Sequence, residues 1–282
     1  MKSLKLHRSR VPNELFHQIL ADMRICERLY GDVDYISGQR AISRYIATAY
    51  IRTVALFGGA LVINPQISTT GRIENRFLAL GVYTALLVET EPGEALRGSE
   101  VRQIRAGVLD ACVDMDWCNA KRNLWAPILA IVSNGASLEF TVFDSSSMEL
   151  FTSGERICIP IFTGESREFR MAFVKCTIER LLDWFLMAFI NGARAETAQS
   201  KVQPARPPRV PKPELPEAVI HKAEEAHWTL RKGDQAAEKW KWISAEHLAR
   251  EGIQLISERL DGPISIFLFG LAKLFANARR LL

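Results

Sequence analysis

Three glutamates hold the most chemically suggestive positions of the chain: Glu74, closing Gly71-Arg-Ile-Glu74, and Glu89 and Glu91, closing Leu86-Leu-Val-Glu89-Thr-Glu91. The second run is apolar until its last residues and reads as a strand over 82–91, stopped by Pro92-Gly93. Side chains alternate along a strand, so Glu89 and Glu91 share a face with Ala85 and Leu87, while Leu86, Val88 and Thr90 line the other. Like carboxylates at the end of a buried strand repel and lose hydration; they must be solvated, paired with cations or bound to a metal. With Glu74 on an adjacent strand, three carboxylates converge into the all-oxygen set that Mg2+ prefers. A strand that simply emerges into water would end in the same residues, so spacing alone leaves both readings open.

Other residue types carry weaker patterns. The five histidines (His7, His17, His221, His227, His247) are scattered, and the spacing of six between His221 and His227 does not put them on one helix face, so no zinc or catalytic histidine site is expected. Ser133 and Ser137 flank Asn134-Gly135 and read as turn chemistry. There is no Gly-x-Gly-x-x-Gly or P-loop pattern, and Gly58-Gly59 follows a helical run instead of opening one, which makes it a helix stop. The five cysteines form no C-x-x-C pair and are odd in number, which argues against a zinc ribbon or an oxidised framework and for reduced thiols in an intracellular protein.

The elements that must position the acids alternate in type. Helices are expected over 13–28, with Asn13 as cap, and from Ser37 to Gly58. Short strands follow over 60–63 and 67–77, then the strand of Glu89. Ser99 caps a helix in which Val101, Ile104, Val108 and Cys112 recur at spacings of three and four. Strands over 127–132 and 137–143 flank the Asn-Gly turn, an edge strand is expected over 158–162, and a long helix over 168–191. The segment from Thr197 to Pro216 is rich in proline and, up to Lys212, carries only basic charges, so it reads as an extended linker. Beyond it three helices are expected: through Trp228, through Trp240 and Trp242 to Leu260, and from Ile264 onward, punctuated by Gly233 and Gly262-Pro263. The expected fold is α/β: a mixed central sheet of about five strands flanked by helices, with a C-terminal helical extension. The boundaries are 1–36 for a helical N-terminal segment, 37–195 for the α/β domain, 196–216 for the linker and 217–282 for the extension.

Composition narrows the classes. At 282 residues, 48% hydrophobic and 24% charged, the chain is neither disordered, collagen-like nor a disulfide-stapled miniprotein. Thirty-six Lys and Arg against 32 Asp and Glu leave +4, too mild a charge to specify a nucleic-acid partner by itself. Met1 to Pro12 is basic but has no apolar run behind it, so no signal peptide is expected. The most apolar stretch, 264–275, is broken by Lys273 and falls short of the roughly 20 residues of a membrane span. A soluble protein of the cytoplasm or nucleus is expected. The basic linker and the Arg97, Arg102 and Arg105 side of the middle helix are the regions suited to a phosphate backbone. The aromatic tail (Trp228, Trp240, Trp242, Phe267, Phe269, Phe275) suits packing, a protein partner, self-association as a homodimer, or a membrane-surface helix from Ile264.

The ordered set of helix, strand, Gly-Arg-Ile-Glu74, Leu-Val-Glu89 strand, helix with Gln103, and the Val132-Ser-Asn-Gly135 strand and hairpin resembles the PD-(D/E)XK nuclease-like core. It is most similar to the divergent form found in fungal proteins and in Crinkler-type effectors, and covers 39–191, just over half of the chain. The resemblance implies a restriction-endonuclease-like fold in which Glu74 stands for the metal-binding Asp and Glu89 for the acidic residue of the Glu-x-Lys pair, with Gln103 near the site. Those carboxylates would hold Mg2+ or Mn2+. Glu91 stands where the family has its lysine, which reverses a charge, and Glu74 is a methylene longer than Asp. Arg102 or Arg105 is the available replacement cation. Three functions follow as expectations: a catalytically impaired nuclease-like domain binding nucleic acid or a protein, an active metal-dependent DNA endonuclease, or a protein-interaction module working through the aromatic tail.

Overall fold

The computed structural model describes residues 4–30, 39–65, 73–79, 83–90, 99–121, 123–133, 137–158, 167–202 and 217–260. Among these the elements run α1 (Asn13–Tyr30), α2 (Gln39–Ala55), β1 (Leu61–Pro65), β2 (Ile73–Ala79), β3 (Tyr83–Thr90), α3 (Ser99–Ala120), β4 (Ile128–Ser133), β5 (Ser137–Asp144), β6 (Glu149–Cys158), α4 (Arg167–Val202), α5 (Glu217–Glu238) and α6 (Trp242–Leu260). After α2, Gly58 and Gly59 take left-handed φ values of 54° and 86°, which glycine adopts without a Cβ penalty.

The strands form one sheet in sequence order, β1-β2-β3-β4-β5-β6. Neighbours are antiparallel except β3 and β4, which are parallel because the chain crosses over through α3 before returning. Along β4 every residue is buried, as a strand covered on both faces must be. Leu129 and Ile131 belong to the main core, while Ile128, Ala130 and Val132 pack with Val108, Ala111 and Cys112 of α3. The period of two along one strand thus divides the molecule into an α4 layer and an α3 layer.

The centre of the larger layer is α4. From Thr177 to Ile190 nearly every residue is buried, so this helix is enclosed on all sides instead of lying on a surface. Its phenylalanines tie that layer together: Phe185 packs on Tyr50 of α2 and Phe77 of β2 at ring separations of 5.8 and 5.0 Å, and Phe189 on Phe57 at 5.5 Å. Trp184 meets Phe140 of β5 edge-on at 5.1 Å. Such pairs contribute about 0.5–1.5 kcal/mol each beyond the area they bury.

The α/β class is as expected, but the strand count is six, not about five. The additional edge is β6, which occupies 149–158 where an edge strand was expected over 158–162; residues 159–166 lie outside the described residues. The register with β5 shifts between Glu139, opposite Arg156, and Thr141, opposite Thr152, so Ser153-Gly154-Glu155 forms an irregularity within β6. The long helix also exceeds its expected end. α4 continues to Val202, into the stretch expected to be extended, because residues 196–202 hold no proline to interrupt it. Residues 203–216 lie outside the described residues.

Gly233 does not punctuate the tail; it lies inside α5. A Cβ there would sit 3.1 Å from the Arg10 Cβ and 3.2 Å from the Ala245 carbonyl, so the glycine serves close approach of three segments. The expected helix from Ile264 lies outside the described residues. At the other end, residues 4–12 are not helical but run between α4 and α5, where Ser9 N–H donates to the Glu179 carbonyl and Arg10 N–H to the Leu230 carbonyl, both at 3.1 Å. Among the described residues no helix is long and apolar enough to cross a membrane.

Candidate functional site

The pairing of β2 with β3 brings the backbone of Glu74 next to that of Glu89. Ile73 lies opposite Glu89 and Asn75 opposite Val88, so Glu74 is an extra residue in β2, bulged beside Glu89. Bulges of this kind turn a strand locally and are frequent where a side chain is re-aimed. On its other side Glu89 is in register with Val132 of β4, and Thr90 with Ser133. The C-terminal ends of the two parallel strands therefore lie at the same end of the sheet.

Of the expected site residues, Glu74 and Glu89 are thus brought to adjacent strands. Arg102 and Gln103 fall in the first turns of α3, the element that follows β3. For these four the backbone position alone is described, and Glu91 and Arg97 lie outside the described residues. Arg105 is described in full and has another task. Its Nε and Nη2 donate to Oε1 of Glu139 at 3.0 and 2.6 Å, and the Thr152 hydroxyl donates to the same oxygen at 2.6 Å. Glu139 is buried in β5, in register with Val132 and so two strand spacings, roughly 10 Å, from the backbone of Glu89. Arg105, expected as a replacement cation or phosphate contact, is held by a buried carboxylate instead.

A second charged constellation lies between α4, α5 and the N-terminal segment, and no sequence motif announced it. Asp183 of α4 is buried and accepts hydrogen bonds from Ser9 Oγ at 2.9 Å, His227 Nε2 at 2.8 Å, and Arg231 through Nε and Nη2, both at 2.8 Å. Burial alone would raise its pKa, but the hydrogen bonds and charges of Arg231 and His227 outweigh that and hold the carboxyl well below the usual range. One turn earlier, buried Glu179 accepts from Val11 N–H at 3.3 Å and pairs with Arg10 at 3.3 Å. Here burial prevails over the nearby cations, and the carboxyl is pushed up. Arg8 extends the network to Asp234 and Glu238 of α5.

His227 also lines a cleft of about 780 Å³ between α4 and α5, together with Arg194, His221, Glu224, Trp228 and Lys232. His221 and His227, whose spacing of six was expected to keep them off one helix face, both line this cleft. The chemistry of His227 is positional, though: Ser9 and His227 bind the same oxygen of Asp183, so the serine has no proton path to the imidazole and no activated nucleophile results. The arrangement clamps the N-terminal segment to two helices. Two spacings of four carried the signal: Glu179 and Asp183 inside an apolar helix, and His227 and Arg231 on the next. Among the described residues no three His, Cys, Asp or Glu side chains stand together so as to hold a metal ion.

No protein-family model matches this chain, and neither does any curated protein or solved structure.

Proposed function

We infer that the chain is a divergent PD-(D/E)XK nuclease-like domain with a restriction-endonuclease-like core and a degenerate site, which binds nucleic acid and cleaves it poorly or not at all. The observation that carries this reading is the bulge that sets Glu74 beside Glu89 at the end of the sheet where β3 leaves for α3. The order α2-β1-β2-β3-α3-β4, with β3 parallel to β4 and a β4–β5 hairpin after it, is the order the resemblance implies and supports it further.

In this reading Glu74 and Glu89 are the residues that would hold Mg2+ or Mn2+, and two carboxylates suit a hard cation. When bound, such an ion polarises a phosphate and activates water. Glu91 in place of lysine adds negative charge where an attacking water and a phosphodiester need a cation, and Arg105 is drawn to Glu139. Losing that stabilisation costs about 4 kcal/mol, on the order of a thousandfold in rate.

The test is cleavage of supercoiled plasmid with Mg2+ or Mn2+, beside Glu74→Ala and Glu89→Ala, with DNA binding followed across a salt series. The expected result is no nicking by any of the three and an affinity that falls as salt rises. Nicking by the parent and by neither variant would replace this reading with an active endonuclease. The lack of any salt-dependent binding would leave a protein-interaction module working through the C-terminal helices.

A further inference from the structure

The corner between α5 and α6 exposes more apolar surface than a free helical turn has use for. Trp240 is 80% exposed, Trp242 53% and Ile243 89%, and the lysines on either side of Trp240, Lys239 and Lys241, are exposed as well. The two tryptophans pack edge-on, ring centroids 5.7 Å apart at 85°. Arg10 lies over Trp242 at 5.9 Å and steadies its ring from below.

The backbone adds an independent sign. Helix α5 is closed by Trp240 N–H on the Ala237 carbonyl at 3.0 Å and Lys241 N–H on the Ala236 carbonyl at 2.9 Å. This closure needs a left-handed residue, a place that glycine normally fills. Here Trp240 takes it, with φ of 60°. A bulky residue held in the left-handed region, with its side chain in solvent, is retained at a cost to folding.

Charge decides what kind of occupant fits. The neighbouring acids are engaged, Glu238 by Arg8 and Glu246 by Arg250, whereas Lys239 and Lys241 make no ion pair among the described residues. The patch therefore suits a negatively charged surface. A single-stranded nucleic acid would call for flat aromatic platforms in a groove. This corner is convex, its two rings are perpendicular, and its most exposed side chain, Ile243, has no π-face. Tryptophan at the headgroup level, an aliphatic tip below it and lysines at the phosphates is the chemistry of a bilayer boundary.

We propose that the α5–α6 corner is a membrane-surface anchor, in which Trp240, Trp242 and Ile243 enter the boundary of an anionic bilayer while Lys239 and Lys241 meet its headgroups. It is independent of the sheet-end site. The full chain is sedimented with vesicles of phosphatidylcholine alone and of equal parts phosphatidylcholine and phosphatidylserine, beside Trp240→Gly and the double variant Lys239→Glu/Lys241→Glu. The parent is expected to pellet with the anionic vesicles and not the neutral ones, and each variant to bind roughly tenfold more weakly. Trp240→Gly is expected to melt at the same temperature as the parent or higher, since glycine suits the left-handed position. A parent that stays in the supernatant overturns the proposal, as do variants that pellet like the parent, which would move binding to another surface. Binding of a single-stranded oligonucleotide that Trp240→Gly abolishes, with vesicle binding unchanged, would assign the corner to nucleic acid.

Discussion

In α4, Glu179 and Asp183 are buried one turn apart, and each has a cation brought to it from elsewhere in the chain: Arg10 for the first, Arg231 with His227 for the second. At the end of the sheet, Glu74 and Glu89 come to adjacent strands, and the next acid along the chain, Glu91, adds charge of the same sign. Both regions concentrate carboxylates; in the first a guanidinium answers each, while in the second the sequence adds a further acid. Acids that have been answered are architecture, because removing one member strands a buried charge. Carboxylates left without such a partner must take their counter-charge from solution, from a metal or from a ligand, and the variants below test which case holds at the sheet end.

The comparison breaks most directly at Asp183. Asp183→Asn keeps the shape but leaves Arg231 without its counter-charge, and is expected to lower unfolding free energy by ~3–5 kcal/mol in urea melts. Because Ser9, His227 and Arg231 converge on that one carboxylate, proteolysis should then release the N-terminal segment first. An effect under about 1 kcal/mol would mean the network is ornamental. Glu139→Gln comes next. It removes the charge that Arg105 and Thr152 both address, but Arg105 is one-third exposed and can turn to water, so the expected loss is about 1.5–3 kcal/mol. If Arg105, once freed, raises DNA affinity in the same variant, the sheet-end reading is sharpened as well.

How much of this was legible depended on whether the determinant was local. Helices α1 and α2, the start of α3, and strands β3, β4 and β5 follow from apolar period and turn residues, with ends within a few positions of those observed. The Gly58-Gly59 stop is a case in which one dipeptide decides, and β4 and β5 pair antiparallel as expected of the runs that flank Asn134-Gly135, which itself lies outside the described residues. β6 was not legible because its middle, Ser153-Gly154-Glu155, interrupts the strand pattern, and the pairing of 149–152 and 156–158 with β5 on either side is long-range information. Gly233 misled for the complementary reason: its role is proximity to Arg10 and Ala245, hundreds of residues and a dozen residues away, and not a turn. Glu74 and Glu89 were found by motif order, but the bulge that joins them is a property of two strands. Asp183 was missed because its partners come from positions 9, 227 and 231.

The two acids of α4 also differ from each other, and pH reads the difference. Asp183 has a folded pKa below its unfolded value of about 3.9, so its contribution is present above that pH and is lost as the pH falls toward the folded value. Glu179 is shifted the other way: its contribution is present below about 4.3 and is lost as the pH rises through the folded value. Asp183→Asn should therefore flatten the acid side of the stability profile. Glu179→Gln keeps an acceptor for Val11 N–H and removes a charge that burial already disfavours, so it should cost only about 1 kcal/mol at neutral pH. Thermal melts from acid to neutral pH check both, and parallel profiles for the two variants would undo the contrast.

The smallest effect is expected at the sheet end and has the opposite sign. Like charges on neighbouring strands disfavour each other by roughly 0.2–1 kcal/mol, and Glu74 sits in a bulge directly beside the Ile73–Glu89 pair. Glu74→Gln or Glu89→Gln should therefore raise stability by about 0.5 kcal/mol, within reach of paired urea melts. The gain should disappear when Mg2+ is present at millimolar concentration if the parent binds the ion, because the ion stabilises the parent and leaves the variants where they were. A loss of stability in either variant without Mg2+ would mean that these acids too are answered by a cation within the chain. The sheet end would then be a second clamp, and the case for a ligand there would fall with it.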